Sequence, residues 1–439
     1  MKFSNLPLSL TDMSAPVIGI ASRTQTPKGL RLHIGLFGRR NAGKSSLINA
    51  LTNQKIAIVS DVPGTTTDPV EKACELAPIG PVVFIDTAGV DDVGELGGLR
   101  TERSLAVLGW VDVALIVCDA KALTESELEL IRTVKSTATP TVVVLNKADT
   151  ADAKELIATQ EQVRSLGYEP VTVCASQKLN IDAVREAIVK LAQNAVEPDL
   201  PLLGDLVHPG DTVMLVTPID TGAPKGRMIL PQVQAIREVL DADAKCIVVR
   251  ENRLAEPLTN EKEPPAFVVT DSQVVQSVVA QTPKTIPVTT FSIQMAYSKC
   301  DLVEMARGAA MIDFLRPGDK VMICETCSHH PQPDDIGRKK LPRWLAKKVG
   351  GELDIEVVVG KDFPVDLTPY KLILQCGGCV VTRRHMLTRL AQAKRQNIPM
   401  TNYGVAISHL QGVLERALEL HPKALKAFHE AREIFANHF

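Results

Sequence analysis

Short apolar runs alternate with amphipathic stretches along the first half of the chain. The apolar runs within residues 29–196 are LHIGLF, PVVFID, VALIVC, TVVVLN and PVTVCA. The amphipathic stretches include KSSLINALTN and IDAVREAIVKLAQNA, in which apolar residues recur at helical spacing. Strands that are apolar throughout and separated by helices are typical of βαβ units. This part of the chain therefore predicts a mostly parallel sheet covered by helices.

The alternation starts again twice after a proline-containing linker, EPDLP at residues 197–201. The runs VMLVTP, CIVVR and AFVVT, with helices expected over residues 231–241 and from Ser272 onward, predict a second α/β unit. The runs KVMICE, LDIEVVV and KLILQC, with a helix at RRHMLTRLAQAKRQN, predict a third unit, and TPK at residues 282–284 is the expected break. The predicted organisation is an α/β fold with a tail and three domains, at residues 1–28, 29–196, 202–284 and 285–439.

Composition narrows the class of protein without identifying it. The chain has 439 residues, a hydrophobic content of 45% and a formal net charge of −2, values typical of a globular protein with more than one core. A near-neutral charge gives no bulk attraction to nucleic acid. No apolar run is long enough to cross a bilayer, and the N-terminus lacks the pattern of a secretory signal. We therefore expect no nucleic-acid or membrane partner and a cytoplasmic location, with an organelle stroma or matrix as the eukaryotic alternative.

A phosphate-binding loop follows the first apolar run. Residues 38–45 read GRRNAGKS and lie between a predicted strand and a predicted helix. Glycines let backbone N–H groups approach phosphates, while Lys44 reaches the β- and γ-phosphate oxygens and Ser45 coordinates Mg²⁺. The sequence therefore predicts that this loop binds a nucleoside triphosphate together with Mg²⁺.

Two segments that are expected to meet the γ-phosphate come next along the chain. GTTTD begins at residue 64, where the first switch of a GTPase belongs, and its Thr66 is the expected Mg²⁺ ligand. DTAG ends an apolar run; its Asp86 is placed to hold Mg²⁺ through water, and the Gly89 N–H to contact the γ-phosphate. The predicted Mg²⁺ ligands are therefore Ser45, Thr66 and Asp86.

Two later segments predict that the base is guanine. NKAD at residues 146–149 ends a predicted strand, and CAS at residues 174–176 follows the next one. Asp149 accepts hydrogen bonds from the guanine N1–H and N2–H₂ groups, which adenine does not offer. The predicted nucleotide-binding residues are Gly38, Asn41, Ala42, Gly43, Lys44, Ser45, Ser46, Asp86, Gly89, Asn146, Lys147, Asp149, Cys174, Ala175 and Ser176.

This set of motifs resembles the translation-factor-related GTPases, especially the MnmE, Era and Der families. Val90 follows DTAG, where Ras-like proteins place a water-orienting glutamine, so intrinsic hydrolysis should be slow. Asn41 matches the P-loop asparagine that binds K⁺ in MnmE-like proteins, and the resemblance therefore implies GTP hydrolysis stimulated by K⁺. The predicted catalytic residues are Asn41, Lys44, Thr66 and Gly89.

Four of the nine cysteines form two pairs in the third predicted domain. Cys324 and Cys327 follow one apolar run, and Cys376 and Cys379 follow another. Four thiols at this spacing suit a structural zinc site, and a Cys-Gly-Gly-Cys segment between strand and helix also suits a thioredoxin-like redox site. Strands of the parallel type precede both pairs, which argues against a zinc ribbon. A thioredoxin-like redox site would leave Cys327 without a role. Both pairs are expected at the carboxyl edge of the third sheet, where α/β folds place ligand sites.

The sequence around these cysteines resembles the HydF family of FeFe-hydrogenase maturation GTPases. CETCSHH from Cys324, DDIGR, LPR and QCGGC from Gln375, with Arg383 and Arg384 after it, carry the resemblance, which covers nearly the whole chain past the tail. It implies a 4Fe–4S cluster held by Cys327, Cys376 and Cys379, with one iron left open for exchange. Gln375 departs from the family pattern, which often has histidine there. Cys324 is interpreted as a spare thiol, with closure of the fourth site as the alternative.

The resemblance implies a P-loop GTPase domain, a middle dimerisation domain and a cluster-binding domain. It further implies a GTP-hydrolysing scaffold that delivers the diiron subcluster to apo FeFe-hydrogenase, exchanges with the radical-SAM maturases HydE and HydG, and forms a homodimer. One alternative is an MnmE- or Era-like GTPase that acts on RNA or the ribosome and has a structural four-cysteine zinc domain. A non-enzymatic metal chaperone is a second alternative, and the intact Lys44, Ser45, Thr66 and Asp86 argue against it.

Overall fold

Three separate β-sheets organise the chain. The structure is a computed structural model, and the residues it describes are 26–52, 70–87, 106–137, 139–194, 200–219, 228–261, 263–326, 335–360 and 362–438. The first sheet has six strands, and the second and third have four each. All neighbouring strands are parallel except for one antiparallel pair in the first sheet. The predicted α/β fold class is confirmed.

The first sheet lies between two helical layers. Its strand order is β2-β3-β1-β4-β5-β6. The strands are β1 (Leu32–Phe37), β2 (Val70–Leu76), β3 (Gly80–Asp86), β4 (Val113–Asp119), β5 (Thr141–Asn146) and β6 (Val171–Thr172), and the helices are α1 (Lys44–Thr52), α2 (Glu125–Ser136), α3 (Ala153–Ser165) and α4 (Ile181–Asn194). One core packs α1 and α4 on one face of the sheet, and a second core packs α2 and α3 on the other. Each fully buried aliphatic or aromatic side chain contributes about 1.5–3 kcal/mol to these cores.

Strand β2 is absent from the sequence prediction and runs antiparallel to β3 at the sheet edge. Its sequence, VEKACEL, interleaves charged and apolar residues, and of its side chains only Lys72 and Leu76 are buried. One face of this edge strand meets water, so it lacks the continuous apolar run of a central strand such as β4.

The second sheet has the order β10-β9-β7-β8. Its strands are β7 (Thr212–Val216), β8 (Lys245–Val249), β9 (Phe267–Thr270) and β10 (Val288–Thr290), with helices α5 (Leu230–Asp241), α6 (Ala255–Asn260) and α7 (Val275–Gln281). Strand β10 lies beyond the break expected at residues 282–284 and pairs with β9. The second unit therefore extends past that expected break, because the polar turn there joins α7 to a strand of the same sheet.

The third sheet has the order β12-β11-β13-β14. Its strands are β11 (Lys320–Glu325), β12 (Asp354–Val359), β13 (Leu372–Gln375) and β14 (Met400–Asn402). The accompanying helices are α8 (Phe291–Lys299), α9 (Leu302–Ala309), α10 (Leu341–Val349), α11 (Arg383–Arg395), α12 (Tyr403–Leu410), α13 (Leu414–Ala417) and α14 (Pro422–Ala436). Strands β11 and β13 are neighbours, and Cys324 pairs with Gln375 across them. The loops that follow the two strands therefore begin side by side. Within the described ranges, no helix combines the length and apolar character needed to span a membrane.

Candidate functional site

The P-loop connects β1 to α1 and is closed by its own lysine. The Lys44 ammonium donates to the Gly38 carbonyl oxygen at 2.9 Å and to that of Arg39 at 3.0 Å. Asn41 and Gly43 adopt positive φ angles of 62° and 92°, so the chain turns tightly around the lysine head. The loop therefore holds a cation at the N-terminus of a helix, an arrangement that attracts phosphate.

The expected Mg²⁺ ligands Ser45 and Asp86 lie in contact, although their motifs are far apart in the sequence. The Ser45 hydroxyl donates to Asp86 Oδ2 at 2.9 Å. Burial raises the pKa of the Asp86 carboxyl, and the Ser45 hydrogen bond and the charges of Lys44 and Lys72 oppose that rise. A hydroxyl and a carboxylate are donors that Mg²⁺ prefers, so these two residues fit the ion. The third expected ligand, Thr66, lies outside the described residues.

Asn146 joins the phosphate-binding loop to the base-binding loops. Its amide nitrogen donates to the Ala42 carbonyl oxygen at 2.9 Å, and its amide oxygen accepts from the Ala175 N–H at 3.0 Å. The Asn146 side chain is buried, and a Cβ added to Gly43 would overlap its amide nitrogen. One side chain thus brings three of the expected segments into a single site.

Asp149 is exposed at this site and is oriented by its neighbours. It accepts a hydrogen bond from the Cys174 thiol at 3.0 Å and from the Gln177 side-chain amide at 3.2 Å. Lys147 adopts a left-handed φ of 60° and lies 3.4 Å from Asp119 Oδ2. This arrangement leaves a carboxylate in place to accept from a base edge. Ser46 follows in α1 and Ser176 hydrogen-bonds with Cys174 at 3.2 Å.

Several expected site residues belong to segments that the structure does not describe. These residues are Thr66 and the rest of its switch, Gly89 and Val90 after DTAG, and Cys327, His329 and His330 of the first cysteine pair. Their predicted roles stay predictions.

Cys376 lies where the third sheet was expected to carry a ligand site. Its N–H donates to the Cys324 carbonyl oxygen at 2.9 Å across β11 and β13. Its sulfur accepts from the Thr326 N–H at 3.2 Å and lies 3.1 Å from the Thr326 hydroxyl. Thr326 directly precedes Cys327 in the sequence, so the two cysteine loops converge at this edge.

The other two described thiols of the pairs differ in their surroundings. Burial raises the pKa of the Cys379 thiol to about 11, with Cys376 adding to the rise and Lys299 opposing it. Cys324 is fully buried in the apolar core, and burial raises its pKa to about 12. In the part of the chain that the structure describes, which lacks Cys327, no three His, Cys, Asp or Glu side chains are grouped as metal ligands.

Two buried polar side chains, those of Gln375 and Arg389, pack beneath the cysteine loop. Gln375 is fully buried, and its amide nitrogen lies 3.5 Å from the Cys376 sulfur and 3.5 Å from the Cys324 carbonyl oxygen. Its amide oxygen accepts from Arg389 Nη1 at 3.0 Å. Burial lowers the pKa of Arg389, and the charges of Cys324, Cys376 and Asp362 oppose this.

The nucleotide domain contacts the cysteine loop through a buried lysine. Lys299 is fully buried at the end of α8, and its ammonium donates to the Gly29 carbonyl oxygen at 2.7 Å and to the Val381 carbonyl oxygen at 2.8 Å. Gly29 also packs so closely that an added Cβ would lie 2.5 Å from the Cys379 carbonyl oxygen. The segment that enters β1 therefore touches the loop that carries Cys379.

A second set of contacts joins the same two domains beside α11. Trp110 of the nucleotide domain stacks on His385, with ring centroids 6.3 Å apart, and Arg384 donates to the Thr139 hydroxyl at 2.9 Å. A cavity of about 340 Å³ lies between the domains and is lined on one side by Trp110 and on the other by Thr326 and His385. The cysteine site and the nucleotide domain thus line the same cavity.

Four of these supporting residues were not singled out from the sequence. Gln177 directly follows the expected CAS segment and Thr326 lies within the CETCSHH segment, so their positions in the sequence were a usable signal. Arg389 and Lys299 lie on helices α11 and α8 at positions with no motif, and only the packing of the folded chain brings them to the site.

Three family models match the chain, each over a different part. Residues 33–147 match "50S ribosome-binding GTPase", residues 202–300 match "Hydrogen maturase F dimerization domain", and residues 303–420 match "Hydrogen maturase F tetramerization domain". The resemblance to the HydF family is therefore confirmed, and the two oligomerization domains support self-association. Residues 303–420 contain the cysteine site, so that site lies within the match to the tetramerization domain.

Curated relatives match through the nucleotide domain. The tRNA modification GTPase MnmE of Trichormus variabilis is 38% identical over 37% of this chain and 34% of its own, and the GTPase Der of Wolinella succinogenes is 34% identical over 37% of this chain and 36% of its own. The chain thus spans about a third of the length of the curated relatives it matches. Era of Aquifex aeolicus is a structural neighbour with 21% identity over 52% of this chain and 96% of its own, at a TM-score of 0.33.

Proposed function

Because the chain joins a GTPase domain to the dimerization and tetramerization domains of hydrogen maturase F, we propose that it is a GTP-hydrolysing carrier in FeFe-hydrogenase maturation. It binds a 4Fe–4S cluster and delivers the diiron subcluster to the apo-hydrogenase. The observation that carries the proposal is the contact between the nucleotide domain and the loop that follows Cys376 and Cys379.

GTP hydrolysis in this proposal relies on positioning and charge. Lys44 binds the β- and γ-phosphates, Ser45 and Asp86 hold Mg²⁺ with Thr66, and Gly89 contacts the γ-phosphate. A Mg²⁺ ion held by these residues would supply charge that stabilises the phosphate oxygens. Asn146 holds the phosphate-binding loop and the base-binding loop in fixed relative positions, and Asp149 selects guanine.

The proposed K⁺ dependence rests on Asn41. This residue lies in the P-loop with a positive φ of 62°, next to the site of the phosphates. We expect hydrolysis to be several-fold faster in K⁺ than in Na⁺ at equal ionic strength, because K⁺ supplies charge at a site that has Val90 where a glutamine orients water in other GTPases. Equal rates in the two salts would refute this part of the proposal.

The cluster in this proposal is held by Cys327, Cys376 and Cys379, which leaves one iron open for exchange. Thiolates are the ligands of iron–sulfur clusters, and the Thr326 N–H at the Cys376 sulfur is the kind of donor that surrounds such sulfurs. Full burial of Cys324 in the core supports its assignment as a spare thiol rather than a fourth ligand.

The GTP state acts as a switch in this proposal. The Gly29–Lys299–Val381 hydrogen bonds and the Trp110–His385 stack give it a route to the cysteine loop. Affinities for the maturases HydE and HydG and for the hydrogenase should therefore differ between GDP and a non-hydrolysable GTP analogue. Identical affinities in the two states would contradict the switching role.

Assembly and domain roles complete the proposal. The second domain dimerises the chain, and the third, from residue 285 onward in the sequence prediction, holds the cluster. We expect a homodimer or a higher assembly built from it, which sedimentation at several protein concentrations measures.

The direct test is maturation of apo-hydrogenase. The protein, loaded by HydE and HydG, is added to apo FeFe-hydrogenase, and hydrogen evolution is measured for wild type, Cys376→Ala and Cys379→Ala. We expect activation by wild type and none by the two variants. A wild type that binds one zinc through all four thiols and associates with ribosomal RNA instead would support the alternative, an RNA-directed GTPase with a structural zinc domain.

A further inference from the structure

An arginine lies buried behind the cysteine loop, and none of its hydrogen bonds within the described residues goes to a carboxylate. Arg389 is 2% exposed, and its hydrogen bonds go to the Gln375 amide oxygen at 3.0 Å and to the carbonyl oxygens of Gly360 at 2.9 Å and Asp362 at 3.4 Å. All three acceptors are neutral, and the Asp362 carboxylate acts on the guanidinium through its charge. Its Nε is also buried and has no hydrogen-bond partner among the same residues.

Such an arginine is stabilised by every anion nearby. Removing a guanidinium from water is costly unless a negative charge or a full set of hydrogen bonds replaces the lost hydration. Arg389 packs over the Phe363 ring at 5.0 Å, and this contact supplies only a weak interaction with the cation. With a metal bound, the cysteine site would be a second anionic group beside it after Asp362, because metal-bound thiols are deprotonated.

Gln375 connects the arginine to that site. Its amide oxygen is occupied by Arg389, so its amide nitrogen points the other way, toward the Cys376 sulfur and the Cys324 carbonyl oxygen at 3.5 Å each. The orientation of a glutamine amide is assigned from its partners, and a guanidinium that can only donate leaves one assignment. Arg389 thereby fixes an N–H donor at a cysteine sulfur.

We propose that Arg389 is the buried counter-charge of an anionic metal–thiolate centre and that, through Gln375, it sets the reduction potential of that centre. The inference rests on the proposed function, since it takes the centre to be the 4Fe–4S cluster. Both residues are positioning residues. A reduced cluster carries one more electron than an oxidised one, so a nearby cation and an N–H donor stabilise the reduced form and raise the potential.

The test is a redox titration, followed by EPR, of the full chain after anaerobic reconstitution with iron and sulfide. In Arg389→Gln the ratio of reduced to oxidised cluster at a fixed potential should fall about tenfold, which is about 59 mV for a one-electron couple. Gln375→Leu retains the cation and should give a smaller shift in the same direction. Arg389→Lys retains the positive charge but not the planar set of N–H donors that the guanidinium offers. The shift in its reduction potential should be close to that of Gln375→Leu.

Arg395→Gln is the matched control, because it removes an exposed arginine from the same helix. Thermal unfolding of the metal-free and reconstituted forms supplies a second readout. As a counter-charge, Arg389 should stabilise the reconstituted protein more than the metal-free one. A purely structural arginine would lower both midpoints equally and leave the potential unchanged.

The outcomes separate the two claims. A wild type that yields no 4Fe–4S signal would overturn the proposed function. A wild-type cluster whose potential is the same in Arg389→Gln, Gln375→Leu and Arg395→Gln would overturn only the inference. If Arg389→Gln does not fold, the Gln375→Leu titration still decides, because an unchanged potential there contradicts the role of the amide.

Discussion

The nucleotide site and the cysteine site both lie at the carboxyl ends of parallel strands, yet they are assembled differently. In the nucleotide site, Asn146 bonds directly to the P-loop and to the base loop, so motif residues support one another. In the cysteine site, Cys376 is supported by Thr326 and Gln375 of the cysteine segments and, through Gln375, by Arg389, which belongs to no motif. The first site is specified locally, and the second depends on the packing of its whole domain.

The largest expected effect is a loss of GTP hydrolysis without a loss of the cluster. Lys44→Ala should lower GTP hydrolysis by at least about 100-fold, since it removes the cation that stabilises the charge developing on the phosphates. The cluster content of this variant should match wild type, because the site of its thiols lies in another domain. Phosphate release and iron content measure the two properties.

The reciprocal variant is Cys376→Ala, which should lose the cluster and hydrolyse GTP within about twofold of wild type, because distant sites contribute independently. Lys154→Ala, an exposed lysine of α3, is the control for Lys44. A loss of cluster in Lys44→Ala would break the comparison, since it would make one site depend on the other.

Base selection offers a smaller and sharper test of the local site. Asp149→Asn replaces two acceptor oxygens by an oxygen and an NH₂ group, so the affinity for GTP should fall about 100-fold, or about 2.8 kcal/mol. Xanthine nucleotides, which present an acceptor where guanine has its N2–H₂ donor, should bind the variant better than GTP does. Competition for a fluorescent nucleotide measures both affinities.

The exposed Asp182 of α4 supplies the control, and Asp182→Asn should leave nucleotide affinity unchanged. If Asp149→Asn retained the wild-type preference for GTP, another residue would have to read the base.

The contact that Lys299 makes between the nucleotide domain and the cysteine loop could make the two sites depend on each other. Lys299→Met leaves the buried carbonyl oxygens of Gly29 and Val381 without their donor and should lower stability by about 1–3 kcal/mol. Hydrolysis and cluster content should persist, and the proposed difference in partner affinity between the GDP and GTP-analogue states should shrink or vanish. Urea unfolding, phosphate release, iron content and partner binding in the two nucleotide states measure these properties.

Lys320 provides a control of the opposite kind, because its ion pair with Glu356 at 2.8 Å is solvent-exposed. Lys320→Met should cost at most about 1 kcal/mol and leave the nucleotide response intact. A Lys299→Met protein with an unchanged nucleotide response would rule out this contact as the coupling route.

The same contrast explains what the sequence could predict. Buried strands such as β4 and β11 are continuous apolar runs, and the residue types and spacing of the nucleotide motifs indicate what they bind. Both could therefore be predicted from the sequence. The edge strand β2 interleaves charged and apolar residues and was missed. The second domain was expected to end at residues 282–284, because the polar turn before β10 resembles a boundary.

Supporting residues were the least predictable part of the cysteine site. Arg389 lies on a helix of mixed polar sequence, and nothing in that pattern distinguishes it from an exposed arginine such as Arg395. Its burial follows from the way α11 packs against the loops after β12 and β13. Information of this kind resides in tertiary contacts rather than in a motif.

The most direct test of the account is the nature of the centre that the cysteines hold. Anaerobic reconstitution with iron and sulfide, followed by EPR of the reduced protein, is carried out on wild type and on alanine variants of Cys324, Cys327, Cys376 and Cys379. The account predicts a 4Fe–4S signal that requires Cys327, Cys376 and Cys379 and survives Cys324→Ala. A protein that takes up no iron and binds one zinc tightly through all four thiols would contradict it.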